Sequence, residues 1–252
     1  MMTDINHAHE KVSQARWDYP TASRRQTFFV TLAISIFLTL ISFITPLLGI
    51  DFFQTGRQGH RLLNVSIEGN IPTWWSATLL AVGGLSFLVR ACALSAAKGW
   101  KKALPEGVVG LILVAMSIDD MSGIHEHLFW FAQRIAPNLF AYNWLLIGIP
   151  IGIAVMVVVG FSVVHLPSEQ RKMVLLGFLV FFSGALGLEG VGSAMASQGH
   201  HLGFAGTIVY HAEEFVEMCG AAILALAGLS TPGRARAGFD IETPSENIQR
   251  VD

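Results

Sequence analysis

Seven carboxylates stand where an apolar sequence gives them little reason to be. Asp119, Asp120, Glu126, Glu189, Glu213, Glu214 and Glu217, out of 18 Asp and Glu in 252 residues, lie inside or at the edge of long hydrophobic runs. An ionised side chain at membrane depth costs at least ~2.5–3.5 kcal/mol, so such groups are expected to face a bundle interior and to be neutralised there. The usual neutraliser, a Lys or Arg on a neighbouring run, is missing: Arg90 belongs to the far end of its run and Arg134 lies beyond the end of the next. Protons, histidines or metal ions remain, and His125, His127 and His211 sit among the acids.

Helical spacing sorts these groups into faces. Asp119, Ser122 and Glu126 form one stripe with His125 at its margin, while Asp120 and His127 form a second stripe about 100° away. In the last run His211, Glu214 and Met218 share a face, with Glu217 at its margin and Glu213 pointing elsewhere. Glu189 is flanked along its own face by Ala185, Gly192, Ser193 and Ala196, small residues that permit close helix contact. Counted from the cytoplasmic ends, Asp119 and Glu189 stand ~21–26 Å up their helices, and His211 and Glu214 reach a similar depth from the other side.

Four carboxylates (Asp119, Glu126, Glu189, Glu214) and two imidazoles (His125, His211) make up the inventory of a carboxylate-bridged dinuclear centre in a helical bundle. The spacing differs from the Glu-x-x-His of such bundles: here it is Asp-x5-His-Glu and His-x-x-Glu. Hard oxygen donors with imidazole suit Fe, Mn or Zn. Two ions of Fe or Mn are therefore the expected cofactor, with Zn as the alternative, and Ser122, Asp120 and His127 are the candidates for catalytic roles beside them. His200 and His201 could cap such a site. Cys92 and Cys219 offer no sulfur-ligated motif and read as buried free thiols.

The elements that must position these groups follow from composition. The chain is 52% hydrophobic and 13% charged, against about 25% charged for a soluble domain. Six segments, roughly 26–49, 73–95, 105–130, 143–165, 172–196 and 204–229, are long enough to span a bilayer. The fold class expected is an all-α polytopic membrane bundle of six transmembrane helices over 26–229, with a cytoplasmic N-terminal tail (1–25) and a disordered cytoplasmic C-terminal tail (230–252). With the N-terminus inside, thirteen of the 16 Lys and Arg fall on the cytoplasmic side and three (Arg57, Arg61 and Arg134) outside, which places both termini in the cytoplasm. Arg24-Arg25 reads as the positive flank of the first span. The third segment continues its pattern to about Arg134 and is expected to protrude outward by two turns. A net charge of −2 provides no basic field for nucleic acid. No internal repeat of the inverted-transporter kind is visible.

Two stretches, Asn70-Ile-Pro-Thr-Trp-Trp-Ser76 and Ser117-Ile-Asp-Asp-Met-Ser-Gly-Ile-His-Glu126, resemble a set of uncharacterised bacterial multi-span proteins with the pattern N-I-P-T-W followed by S-[IL]-D-[DE]-x4-H-E. The resemblance covers most of the membrane region and implies a bacterial inner-membrane location but no activity. A fainter similarity is to the alkaline ceramidase and adiponectin-receptor superfamily of intramembrane zinc hydrolases, carried by Glu68 and Asn70 before the second span and by Ser122-Gly-Ile-His125. It implies a single zinc and hydrolysis. The chain departs from that pattern in having six expected spans rather than seven, and His211-Ala-Glu-Glu214 where the last span should carry His-x3-His.

Three functions are therefore expected to compete. The leading one is a metal-dependent membrane oxidoreductase acting on a lipid-like or small apolar substrate; the alternatives are a zinc hydrolase of ceramidase type and a proton- or cation-coupled transporter. Membrane lipid is the expected surrounding partner, with room for a homo-oligomer or a place as subunit of a membrane complex.

Overall fold

The computed structural model describes residues 21–47, 62–65, 67–137, 139–200 and 203–230, and these are helical with no strand. The expected tails, apart from residues 21–25 and 230, and His201 lie outside the described residues. The helices are α1 (Thr21–Leu47), α2 (Ile71–Lys98), α3 (Trp100–Ser122), α4 (Ile124–His127), α5 (Phe129–Ile135), α6 (Leu145–Val163), α7 (Ser168–Phe182), α8 (Glu189–Ser197) and α9 (Phe204–Leu229). A π-helical stretch, Ser183–Leu188, joins α7 to α8 in one rod.

Among the described residues four helices are long and apolar enough to cross a membrane: Ser23–Thr45, Ile71–Lys98, Leu145–Val163 and Ser168–Ser197. A fifth follows if Trp100–Ser122 and Ile124–Ile135, which meet at a 71° bend, are taken as one span. The expected sixth, α9, has 26 residues, but the three acids Glu213, Glu214 and Glu217 in its middle keep it out of this set.

The bend corrects the expectation that the third segment runs straight on to Arg134. Gly123 adopts φ 60° and ψ 34°, and its N–H donates to the Asp119 carbonyl at 2.8 Å. This left-handed stop is available to glycine without steric cost. Asp119 then accepts the His125 backbone N–H on Oδ1 at 2.8 Å, satisfying an orphan donor at the start of α4.

The core occupies the half of the bundle away from the bend. Leu80 and Phe87 of α2, Val109 and Leu113 of α3, Val159 and Val163 of α6, Val174 and Phe178 of α7, and Ala221 and Leu224 of α9 are buried together there. Small residues bring the backbones close: a Cβ on Gly84 of α2 would stand 2.9 Å from the Gly110 carbonyl of α3. Arg90 fastens the end of the bundle away from the bend. Its Nε donates to Glu106 Oε2 at 3.0 Å, and its Nη1 donates to the carbonyls of Gly228 and Ser230 at 2.8 and 2.6 Å. Gln170 donates to the Ala227 carbonyl at 2.9 Å, so the last carbonyls of α9 are capped by side chains from α2 and α7.

α2 begins with the Asn70-Ile-Pro-Thr-Trp stretch, and its residues have distinct jobs. Asn70 Oδ1 accepts from the backbone N–H and hydroxyl of Thr73, both at 3.1 Å, while its Nδ2 donates to the carbonyls of Asn64 and Ile67 at 2.5 and 2.6 Å. Pro72 sits in the first turn, where no donor is needed. Trp75 Nε1 donates to Ser35 Oγ of α1 at 3.1 Å. Together these contacts fix the loop carrying Glu68.

Candidate functional site

Where α3 bends, where α6 and α9 begin and where α7 passes into α8, the bundle opens into a cavity of about 820 Å³. Among the described residues eight carboxylates line it: Glu68, Asp119, Asp120, Glu126, Glu189, Glu213, Glu214 and Glu217. Among the same residues His125 is the one histidine in the wall, and there is no Lys or Arg. Further from the bend the same cavity is apolar, walled by Ile112 and Met116 of α3, Ile151 and Val155 of α6, and Phe181 and Phe182 of α7.

His125 is the best-held of these groups. Its Nδ1 lies 3.1 Å from Asp119 Oδ2 and its Nε2 lies 3.2 Å from Glu68 Oε1, so the ring presents a nitrogen to each of two carboxylates. Its face packs on Trp144 with ring centroids 4.6 Å apart, and Trp144 Nε1 in turn donates to Glu189 Oε1 at 2.8 Å. A Cβ on Gly123 would collide with Glu68 Oε2 and stand 3.7 Å from Glu126 Oε2. Glu68, His125 and Glu126 therefore gather around the bare Cα at the bend. Glu68 is displaced from the ordinary 4.5 to about 7, chiefly by burial; His125 opposes the rise and Glu126, Asp120 and Asp119 add to it.

The deeper acids come from α8, α9 and the end of α3. The carboxyl groups of Glu189 and Glu213 lie beside one another, close enough to interact directly. The π-helical stretch makes this pairing possible. It sets Gly184 against α9, where a Cβ would meet Glu217 Cγ at 2.7 Å and the Glu213 carbonyl at 2.9 Å, and re-aims the chain beyond it so that Glu189 faces Trp144 and Glu213. Glu214 lies within electrostatic reach of Asp120, Glu68 and Glu189. Ser76 Oγ approaches Asp120 without closing a hydrogen bond of normal geometry, and Asp120 Oδ2 is buried without a partner.

Of the nine residues singled out by sequence, Asp119, Asp120, His125, Glu126, Glu189 and Glu214 line the cavity. The other three do not. His211 is buried on the side of α9 that faces α1, with Nδ1 2.8 Å from the Thr207 carbonyl, Nε2 3.2 Å from Ser42 Oγ, and its ring edge-to-face with Phe43. The physical reason lies in the stripe α9 turns to the cavity, Gly206, Val209, Tyr210, Glu213, Glu214 and Glu217, which is centred on the opposite flank of Glu214 from His211. Ser122 is exposed, its hydroxyl given to the Ile118 carbonyl. His127 is exposed too, with Nδ1 2.7 Å from the Gly123 carbonyl. His127 points away because the helix ends at Gly123 instead of continuing, whereas Ser122, still within α3, lies beyond the Asp119 edge of the stripe Ile112, Met116, Asp119 and Asp120 that faces the cavity.

Sequence reasoning missed Glu68 as part of this group, and ranked Glu213 and Glu217 low. Glu68 could have been found from Asn70 two residues on, since an N-cap with a proline behind it pins the preceding loop to the helix mouth. His200 is exposed. The cysteines are free as expected, although Cys92 is exposed and Cys219 half-buried.

As a metal site the donor chemistry fits and the gathering is incomplete. Carboxylate oxygens and an imidazole whose Nδ1 is held by a carboxylate are the donors a hard or borderline cation takes. Among the described residues, no three His, Cys, Asp or Glu side chains are drawn together at metal-ligand distances. Neither the curated proteins nor the solved structures contain a match to this chain. A family model does match, over residues 29–231, and on that extent the chain belongs to the DUF8692 family, described as a domain of unknown function.

Proposed function

We propose that this chain is a six-span protein of the bacterial cytoplasmic membrane, with both termini inside, whose cavity is a cation site, and that the resident cation is a divalent metal, Fe or Mn in a two-ion form, serving a membrane oxidoreductase. One observation carries the reading: among the described residues, eight carboxylates and one imidazole share a cavity with no Lys or Arg in its wall. So many acids in an apolar bundle must be balanced, and protons or bound cations are what is left to do it.

Glu68, His125 and Glu126 are the residues that would hold an ion nearest the bend, with Asp119 orienting the imidazole through Nδ1. Glu189, held by Trp144, and Glu214 would complete a second position. A bound Fe or Mn would supply electron transfer or Lewis acidity. The chain's own part is to fix the imidazole between Asp119 and Trp144, to set Glu189 beside Glu213, and to keep the apolar half of the cavity for a lipid-like or small apolar substrate.

Metal analysis of the purified full chain tests this. About two equivalents of Fe or Mn are expected, falling by half or more in His125→Ala and in Glu189→Ala and unchanged in His211→Ala. Folded protein that is free of metal as isolated and takes up none on reconstitution overturns the reading. One equivalent of zinc with ester or amide cleavage would favour the hydrolase instead. The juxtaposed carboxyls of Glu189 and Glu213, with Glu217 one turn along α9, favour proton-coupled transport as the second reading, and liposome flux abolished by Glu213→Gln would support it.

A further inference from the structure

The cavity is much larger than metal ions require, and its two halves differ in chemistry. At 820 Å³ it has the size of sites that enclose organic molecules. Along α3, Asp120 is followed one and two turns away from the bend by Met116 and Ile112; along the rod of α7 and α8, Glu189 is followed in the same direction by Ala185 and Phe182. Acids thus crowd one end and aliphatic and aromatic side chains the other. Metal ions would leave the apolar end filled with nothing that suits it, because apolar walls do not hold water well.

The acidic end also has an acceptor with no donor. Asp120 Oδ2 is buried, lines the cavity and has no hydrogen-bond partner, a condition costly enough to call for a ligand that supplies one. Glu214 lies within electrostatic reach of it from α9. Among the described residues the wall holds no Lys or Arg, and the Ser76 hydroxyl near Asp120 closes no hydrogen bond of normal geometry with it, so a donor carried by a ligand would satisfy it. Trp144 and Tyr142 stand at the same end, and aromatic faces favour organic cations.

We propose that the cavity binds an amphiphilic organic cation, a protonated amine carried on an apolar body, with the ammonium between Asp120 and Glu214 and the body along Met116, Ile112 and Phe182. This deepens the cation-site reading by naming the substrate class. It rests on that cavity being the functional site and not on a metal being present.

The test uses the purified full chain in detergent, with 4-phenylbutylamine and its neutral isostere 4-phenylbutanol as probes, each titrated calorimetrically with and without EDTA. The amine is expected to bind at least about tenfold more tightly than the alcohol, the ratio a charge-assisted contact supplies. Asp120→Asn and Glu214→Gln are expected to remove that preference, and Glu169→Gln, an exposed acid at the start of α7, to keep it. Equal affinity for amine and alcohol on the wild-type chain overturns the proposal whatever the variants do. So does a preference retained in folded Asp120→Asn and Glu214→Gln. A metal-free chain that prefers the amine sinks the metal reading alone; a metal-loaded chain indifferent to the charge sinks this one alone.

Discussion

Glu68 links the loop before α2 to the bend in α3, and its titration is a property of the folded chain that can be read directly. Burial raises it from the ordinary 4.5 to about 7. A carboxyl whose folded value is raised contributes stability that is complete below the unfolded value and is lost as pH climbs through the folded one. The cation-free protein should therefore become less stable between pH 4.5 and pH 7 on account of this group, by something on the order of 2 kcal/mol once its partial exposure is allowed for. Melting temperature in EDTA, followed from pH 5 to pH 7.5, is expected to fall more steeply in the wild type than in Glu68→Gln; parallel curves would contradict the assignment. At this scale the sequence was informative about residues whose charge is anomalous for their surroundings, which is why Asp119, Asp120, Glu126, Glu189 and Glu214 could be picked out. It offered Glu68 only through the fainter resemblance and not as a member of this cluster, since an acid in a polar loop is ordinary until the loop folds back. His211 was misjudged for the converse reason. Being one turn from Glu214 is compatible with two faces of α9, and only the packing against Ser42 and Phe43 of α1 decides between them.

At the scale of elements, helix extents were legible and helix irregularities were not. The expected 204–229 is the observed α9, and 73–95 lies within α2, because hydrophobic length fixes both. The stop at Gly123 was available in principle as a glycine four residues after Asp119, but a pattern of apolar residues that continues past it hides the change of axis. The π-helical stretch leaves even less trace, since one extra residue per turn alters no composition. It makes a sharp prediction all the same. Removing Gly187, whose Cα has open space around it, should restore α-helical hydrogen bonding from α7 into α8 and rotate everything beyond by about 100°. α7 itself is held by its packing on α9, so the rotation falls on Glu189, which leaves Trp144 and Glu213. Deletion of Gly187 is expected to keep the helical circular dichroism within error of the wild type. The same deletion should reduce bound metal by half or more, as Glu189→Ala does. A deletion variant that is folded and retains full metal would show that the irregular turn does not aim Glu189.

For the whole molecule, α9 poses the question that composition alone could not resolve. It has the length of a span, and Glu213, Glu214 and Glu217 sit near its middle. On insertion scales each ionised carboxylate there costs roughly 2.5–3.5 kcal/mol, more than the flanking apolar residues of an isolated helix recover. In the folded chain the account differs: all three acids face the cavity, the opposite flank packs on α1, and the end away from the bend is capped by Arg90 and Gln170. α9 is thus expected to cross the membrane as a member of the bundle and to fail alone. Charge distribution sets the direction. Lys98, Lys101 and Lys102 cluster between α2 and α3, and Arg171 and Lys172 lie at the start of α7, against Arg134 at the opposite end, so the α2–α3 connection is expected inside. An alkaline phosphatase fused after Gln198 should then be active, being outside, while the same enzyme fused after Asp252 should be inactive, being inside. Placed alone in a host protein for glycosylation mapping, residues 204–229 should insert in fewer than half of the chains, and the triple change of Glu213, Glu214 and Glu217 to Leu should insert in most. Activity of both fusions would mean that α9 does not cross. Efficient insertion of the unaltered segment would mean that the acids are not the reason it needs its neighbours.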